Sequence, residues 1–288
     1  MESSARDLEL GQFIPLQYHY NMLADVPRTG AFEEAIRLVV PSGGRVVELG
    51  GGTGVLSFFS ARQAARVWCV ERNPELASTA RRMLALNGVD GIVEVVQADA
   101  LEYLPPEPVD VVICEMLHVT TLVEKQMSVI ASFKQRYLQA FGPPLPRFVP
   151  EALLQAVQPV HQSFDYHGYT APTVHFQDPR AAQPRTTELG EPVVYQSLLY
   201  EGDIPEAIDW RGQVPVVADG RLNALRFVTK NVLAVLPAEG RSVDWLMNYL
   251  VVPLEAELPV RAGDMLEIAF AYEPGERLGT LTPTARVV

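Results

Sequence analysis

Apolar positions in the first half of the chain come in short runs separated by longer segments that read as helices. Arg45–Leu49 (RVVEL) is an apolar run that ends in glycines. Thr53–Arg62 (TGVLSFFSAR) reads as a helix, and Arg66–Val70 (RVWCV) is a second β-rich run. Pro74–Asn87 (PELASTARRMLALN) is a stronger helix. Pro suits its first turn, Glu75 complements the positive helix start, and Asn87–Gly88 provide a stop. Ile92–Val96 and Val109–Cys114 add two more apolar runs. This alternation predicts βαβ units and a mostly parallel sheet. In such sheets ligands sit beyond the carboxyl ends of the strands, near the topological switch point.

The second half follows another rhythm. A proline-rich stretch, Gly142–Pro150 (GPPLPRFVP), breaks the pattern and marks a domain boundary. Apolar or alternating runs follow near 152–159, 193–199, 213–217, 223–235, 245–253 and 265–272, separated by turn signals such as Asp219–Gly220 and Glu239–Gly240. That pattern predicts an all-β sandwich or barrel. Residues 165–192 are polar and Pro-rich and fit neither half. They read as a long loop or an insertion reaching outward.

Composition narrows the class. The 288 residues are 48% hydrophobic and 20% charged, which excludes a disordered chain and allows a large core. Two cysteines, Cys69 and Cys114, cannot form a disulfide framework. Both lie in apolar runs and read as buried thiols of a reducing compartment. No apolar stretch reaches the roughly 18 residues of a membrane span. MESSARDLELGQF lacks the basic and apolar regions of a secretory signal. A cytoplasmic protein is expected. The net charge of −12 argues against broad nucleic-acid binding, which needs clustered Lys and Arg. The second half carries more of the acid.

The strongest local signal is Glu48-Leu-Gly-Gly-Gly-Thr-Gly54, between the first strand and the first helix after it. Gly50, Gly52 and Gly54 allow a tight turn and close approach to a ligand. The G-x-G-x-G spacing differs from the dinucleotide fingerprint G-x-G-x-x-G and has no P-loop Lys. Glu48, two positions before the first glycine, would repel a pyrophosphate but suits a ligand with a cationic head. S-adenosylmethionine, with an ammonium and a sulfonium and no phosphate, meets that description. Glu71 ends the second strand run, 17 residues after Gly54, where an acid can accept both ribose hydroxyls. Asp99 follows the third run, where a polar group can meet the adenine amino group. Individually these are an ordinary glycine turn, a strand end and a loop Asp. Their succession at strand ends of one sheet favours a methyltransferase.

The stretches VVELGGGTGVLSFFSAR, VWCVERN and VVICEMLHVTTLVE resemble the class I methyltransferases, and specifically the protein arginine methyltransferases. The resemblance covers about residues 10–150 and is architectural beyond. It implies a Rossmann-like S-adenosylmethionine-binding domain over 41–148, preceded by a helical cofactor lid over 1–40. A β-barrel-like substrate and dimerisation domain follows over 149–288, with 165–192 as a possible arm. MLADVPRTGAFEEAI resembles the lid. It implies that Met22 packs on adenosine, that Arg28 binds the methionine carboxylate, and that His19 and Asp25 fall on matching positions. Arg72 and Ala100 complete the implied cofactor set beside Glu71 and Asp99. Glu115 and Glu124, nine residues apart, match the paired glutamates that grip a guanidinium. Glu115 also borders the implied cofactor site. A homodimer is implied as well. A guanidinium is planar and always protonated, so two carboxylates can bind it and aim one nitrogen at the methyl group.

The departures lie on the acceptor side. The family's Thr-His-Trp reads Val243-Asp244-Trp245, so Trp245 is retained and Asp244 replaces a histidine. Its Met-Gly-Tyr reads Met116-Leu117-His118. His118 can act as base or orienter, or be a loop residue without a role. The tyrosine-rich N-terminal motif is not recognisable, although Phe13 lies near one position and Tyr18 and Tyr20 are close. His161, His167 and His175 show no metal-ligand spacing. The expected activity is methylation of a guanidinium or other nitrogen, in a protein or a small molecule. The alternatives are a small-molecule N-, O- or C-methyltransferase and a non-catalytic scaffold that retains the cofactor fold.

Overall fold

The computed structural model describes Ile14 and residues 16–288. Phe13 lies outside the described residues. Among the described residues two helices come first, α1 (Leu16–Ala24) and α2 (Val26–Val39). Asp25 caps α2 by accepting the Arg28 amide at 3.3 Å, and Pro27 sits in the first turn.

The parallel sheet follows: β1 (Arg45–Leu49), β2 (Arg66–Glu71), β3 (Val93–Gln97), β4 (Val111–Cys114) and β5 (Arg147–Val149), in spatial order β3-β2-β1-β4-β5. The helices α3 (Val55–Ala61), α4 (Pro74–Leu86) and α5 (Gln126–Phe141) connect them. Asn73 caps α4, accepting from the Glu75 amide at 2.9 Å, and Gly88 ends it with φ 69°. The order reverses beside β1, which pairs with β2 on one side and β4 on the other. The switch point therefore lies at the ends of β1 and β4.

Alternate residues of each strand enter different cores. Val46 and Val67 pack with Phe32 and Ile36 of α2, while Val47, Trp68 and Val112 pack with Ile130 and Phe133 of α5. Helix α5 has no counterpart in the sequence reading, although its buried Met127, Ile130, Phe133 and Tyr137 recur at helical spacing. The proline-rich junction is not only a connection, because it contains β5.

The second half is antiparallel. It contains β6 (Ala152–Gln162), β7 (Asp165–Tyr166), β8 (Tyr169–Thr170), β9 (His175–Gln177), β10 (Thr186–Glu188), β11 (Val193–Leu199), β12 (Ile208–Pro215), β13 (Gly220–Leu236), β14 (Arg241–Leu246), β15 (Tyr249–Val260), β16 (Met265–Tyr272) and β17 (Thr284–Val287). One sheet runs β10-β6-β13-β15-β9, with β11 beside β6 and β14 beside β13, and the other runs β12-β16-β17. Leu225, Phe227, Leu250, Ile268 and Phe270 fill the space between them.

Two sequence boundaries shift. The run at 245–253 divides into the ends of β14 and β15, because Met247 and Asn248 interrupt a strand that continues antiparallel to β13 on both sides of the break. Residues 165–192 are more ordered than a loop. Their hairpin β7–β8 exposes Tyr169, β9 adds to the edge of β15, and β10 pairs with β6. No described helix is long and apolar enough to cross a membrane.

Candidate active site

The strands β1 to β4 each deliver a loop to the same end, and these loops border a cavity of about 1310 Å³, open solvent included. After β1 comes the glycine turn. Gly50 (φ 82°) and Gly52 (φ 52°) hold left-handed conformations that disfavour side chains. A Cβ on Gly50 would lie 2.8 Å from the Met116 side chain, and one on Gly52 would lie 2.9 Å from the His19 ring. Both glycines border the cavity, whereas Gly54 shapes the start of α3 behind it.

Glu48 borders the cavity, but its hydrogen bonds run to the helix. It accepts from the Ser57 amide at 2.9 Å and from the Ser57 hydroxyl. Gly54 offers no side-chain cap, so this buried carboxylate satisfies the first turn of α3. Burial pushes its pKa up to about 8, against the Ser57 hydrogen bonds that lower it.

Glu71, at the end of β2, accepts the Gly52 amide at 2.8 Å and the Asn73 amide at 2.7 Å. It thereby ties the glycine turn to the loop before α4. Burial raises its pKa, and those amides oppose the rise. Asp99 accepts the Leu101 amide at 2.9 Å and pairs with Arg72 at 3.4 Å. Arg72, Asp99 and Ala100 all border the cavity.

Helices α1 and α2 add His19, Met22 and Arg28 to the wall. His19 Nε2 is buried without a hydrogen-bond partner among the described residues, and burial, then the Arg28 charge, lowers its pKa. A polar ligand would complete it. Arg28 is paired with Glu115 and lies 5.2 Å over the Trp245 ring. These residues fit S-adenosylmethionine. The acids Glu71 and Asp99 suit its ribose and adenine, the open glycine backbone avoids a clash, and Arg28 offers a cation to its carboxylate.

Glu115 and Glu124 border the same cavity at the end of β4. Burial raises the Glu115 pKa, and the Arg28 charge pulls it back. Glu124 is pushed up to about 7, first by burial and then by the Glu115 charge, with Arg28 opposing. Glu115 already pairs with the Arg28 guanidinium, and Glu124, buried and repelled by Glu115, favours a further cation beside it.

The loop between them is strained. Thr120 (φ 67°), Thr121 (φ 60°) and Val123 (φ 69°) are β-branched residues in left-handed conformations. The barrel holds them there. The Thr120 amide donates to Thr229 Oγ1 at 3.1 Å, Val123 donates to the Glu276 carbonyl at 2.8 Å, and Thr121 accepts from the Gly275 amide at 2.9 Å. Val119 and Leu122 are buried in the barrel core. Gln126 fixes the other side, accepting the Met116 amide at 2.9 Å and donating to Tyr200 Oη at 2.9 Å. The sequence reading does not identify Thr229 or Gln126. Their roles depend on contacts across 109 and 10 residues.

The remaining candidates separate. A second cavity of about 640 Å³, open solvent included, lies between the start of α2, the loop after β4 and the barrel, with Arg28 and Leu117 common to both. His118 and Trp245 border this second cavity. His118 Nδ1 lies 2.7 Å from its neighbour's carbonyl, its ring meets Phe176 edge-on at 5.6 Å, and burial lowers its pKa. Asp244 borders neither cavity. Successive strand residues point to opposite faces. Trp245 takes the inner face, and Asp244 pairs with Lys230 of β13 at 2.6 Å.

The strand ends, glycine turn and paired acids define a class I S-adenosylmethionine-dependent methyltransferase. Residues 46–137 match the family model of a methyltransferase domain. The chain is 32% identical over 267 residues to an uncharacterized protein of Methanothermobacter thermautotrophicus, covering 92% of this chain and 95% of that one. It is 24% identical over 282 residues to an arginine N(omega)-methyltransferase of Streptomyces achromogenes subsp. streptozoticus, covering 89% and 76%. Protein arginine N-methyltransferase 2 of Xenopus tropicalis is 35% identical over 136 residues, so 46% of this chain matches 31% of that longer protein. The fold matches the Trypanosoma brucei PRMT1 enzyme–prozyme heterotetrameric complex with AdoHcy at a TM-score of 0.75 and 16% identity, covering 95% of this chain and 98% of that chain. The chain is a class I S-adenosylmethionine-dependent methyltransferase similar to the protein arginine methyltransferases.

Proposed function

We propose that the enzyme methylates a guanidino nitrogen held between Glu115 and Glu124. One observation carries this reading: two buried, mutually repelling carboxylates border the cofactor cavity on a loop that the barrel constrains. The name of the Streptomyces relative, an arginine N(omega)-methyltransferase, supports it.

When bound, S-adenosylmethionine supplies a methyl group on a sulfonium sulfur. Glu71, Asp99, His19, Met22 and Arg28 would hold it. Glu115 and Glu124 accept guanidinium N–H hydrogen bonds and bring one nitrogen into line, so catalysis is mainly positioning and electrostatics. The nitrogen forms a bond to carbon as the sulfur–carbon bond breaks, and it must then lose a proton. Glu124, with its pKa near neutrality, is the carboxylate suited to take it. His118 stays outside the transfer, because its ring borders the second cavity.

The same reading includes a cytoplasmic homodimer, with the exposed β7–β8 hairpin as part of the contact. Sedimentation of a monomer at working concentration would remove the dimer.

Incubation with S-adenosylmethionine and arginine, free or in a peptide, followed by tandem mass spectrometry tests the reaction. The expected product carries its new methyl on the guanidino group. Methylation of oxygen or carbon instead, or of no guanidine, contradicts the reading.

A further inference from the structure

The second cavity adjoins the cofactor cavity, because Arg28 and Leu117 line both. Leu117, Phe176 and Trp245 belong to the apolar part of a wall that is otherwise polar. Phe176 is held over His118 by the pairing of β9 with β15, so the segment containing it covers the acceptor loop. Among the described residues, the charges on this wall besides Arg28 are Asp25 and Arg180, paired at 3.2 Å.

Each of the two is oriented by its own neighbours. Asp25 caps α2 through the Arg28 amide. Asp178 accepts both the Arg180 amide and Arg180 Nε at 2.9 Å. Arg180 is 47% exposed at its side chain, and such a pair contributes little to stability. A fixed guanidinium beside a fixed carboxylate is, however, the complement of a zwitterion. Arg offers a planar fork to a carboxylate, and Asp accepts from an ammonium.

We propose that Asp25 and Arg180 read the zwitterionic head of a free guanidino amino acid whose tail enters between Glu115 and Glu124. The α-carboxylate meets Arg180 and the α-ammonium meets Asp25. This inference rests on the guanidine reading above and narrows it to a free amino acid. In a peptide both head charges are replaced by neutral amides, which leaves the pair without a partner of matching charge.

The test compares kcat/KM for L-arginine, for agmatine, which has the same guanidine and no carboxylate, and for N-acetylated, C-amidated arginine. Wild type and Arg180→Met are both measured, and calorimetry with S-adenosylhomocysteine checks that the variant is folded. Wild type is expected to favour arginine over both analogues by about tenfold or more, mainly in KM, as for a lost charge-assisted hydrogen bond. In Arg180→Met the arginine-to-agmatine ratio falls to within about twofold of one. Equal use of arginine and agmatine by wild type, or a ratio that survives in the variant, overturns the proposal. Preference for capped arginine overturns it too but leaves the guanidine reading standing. Failure on every guanidine removes both.

Discussion

Glu124 is the residue on which the proton balance depends. Burial and the Glu115 charge raise it to about 7, and it accepts a proton only when ionised. Its carboxylate form grows as pH rises through that value. The account therefore predicts that kcat/KM rises about tenfold per pH unit below 7 and levels off above it. A bound guanidinium favours the charged form, so the same inflection in kcat falls at lower pH. In Glu124→Gln the inflection disappears along with most of the activity. An unchanged profile in that variant would assign the proton to another group. Asp244 teaches the opposite lesson. Its place in a family motif suggested a catalytic role, yet strand alternation turns it to Lys230. A sequence motif fixes order along the chain but not the face of a strand.

At the scale of elements, the acceptor loop and the barrel are one device. Three β-branched residues sit in left-handed backbone, and the Thr229 hydroxyl is among the groups that keep them there. Thr229→Val removes that hydroxyl with little change in volume. It should lower kcat by about tenfold, the cost of a buried amide left unpaired, while S-adenosylhomocysteine affinity stays within about twofold. Thr229→Ser should restore kcat. Equal loss of cofactor affinity, measured by calorimetry, would mean that the change is not confined to the loop. The cofactor side was legible in the sequence, because a glycine turn and an acid at a strand end are local signals. Gln126, Thr229 and β9 were not, because hydrogen bonds between domains and a three-residue strand addition leave no periodic trace. Helix α5 was legible in principle, with its apolar residues at helical spacing, but it lies beside a proline-rich stretch that drew the boundary.

At the scale of the whole molecule, the barrel and the lid meet at Trp245. Its ring lies 6.1 Å from Phe32 of α2 and 5.2 Å below the Arg28 guanidinium. The lid is thus packed partly on the second domain, and the cofactor wall depends on that contact. Trp245→Ala should cost about 3 kcal/mol or more of stability and weaken S-adenosylhomocysteine binding, seen as a lower Tm and a higher Kd. Unaltered cofactor affinity in a folded variant would mean that the lid stands without the barrel. The division into a parallel sheet and a β-rich half was legible from the change of hydrophobic period. The net charge of −12 named no partner, whereas the structure gathers Glu115 and Glu124 at one cavity.

The central claim is that two glutamates grip a cationic acceptor beside the cofactor, and Glu115→Gln tests it most directly. Turnover of a guanidine substrate and calorimetric binding of S-adenosylhomocysteine should be measured on the same preparation. The account predicts a loss of about a hundredfold or more in kcat/KM, as for removal of a preorganised electrostatic contact, with cofactor affinity changed by less than about tenfold. A variant that methylates the guanidine at the wild-type rate contradicts it.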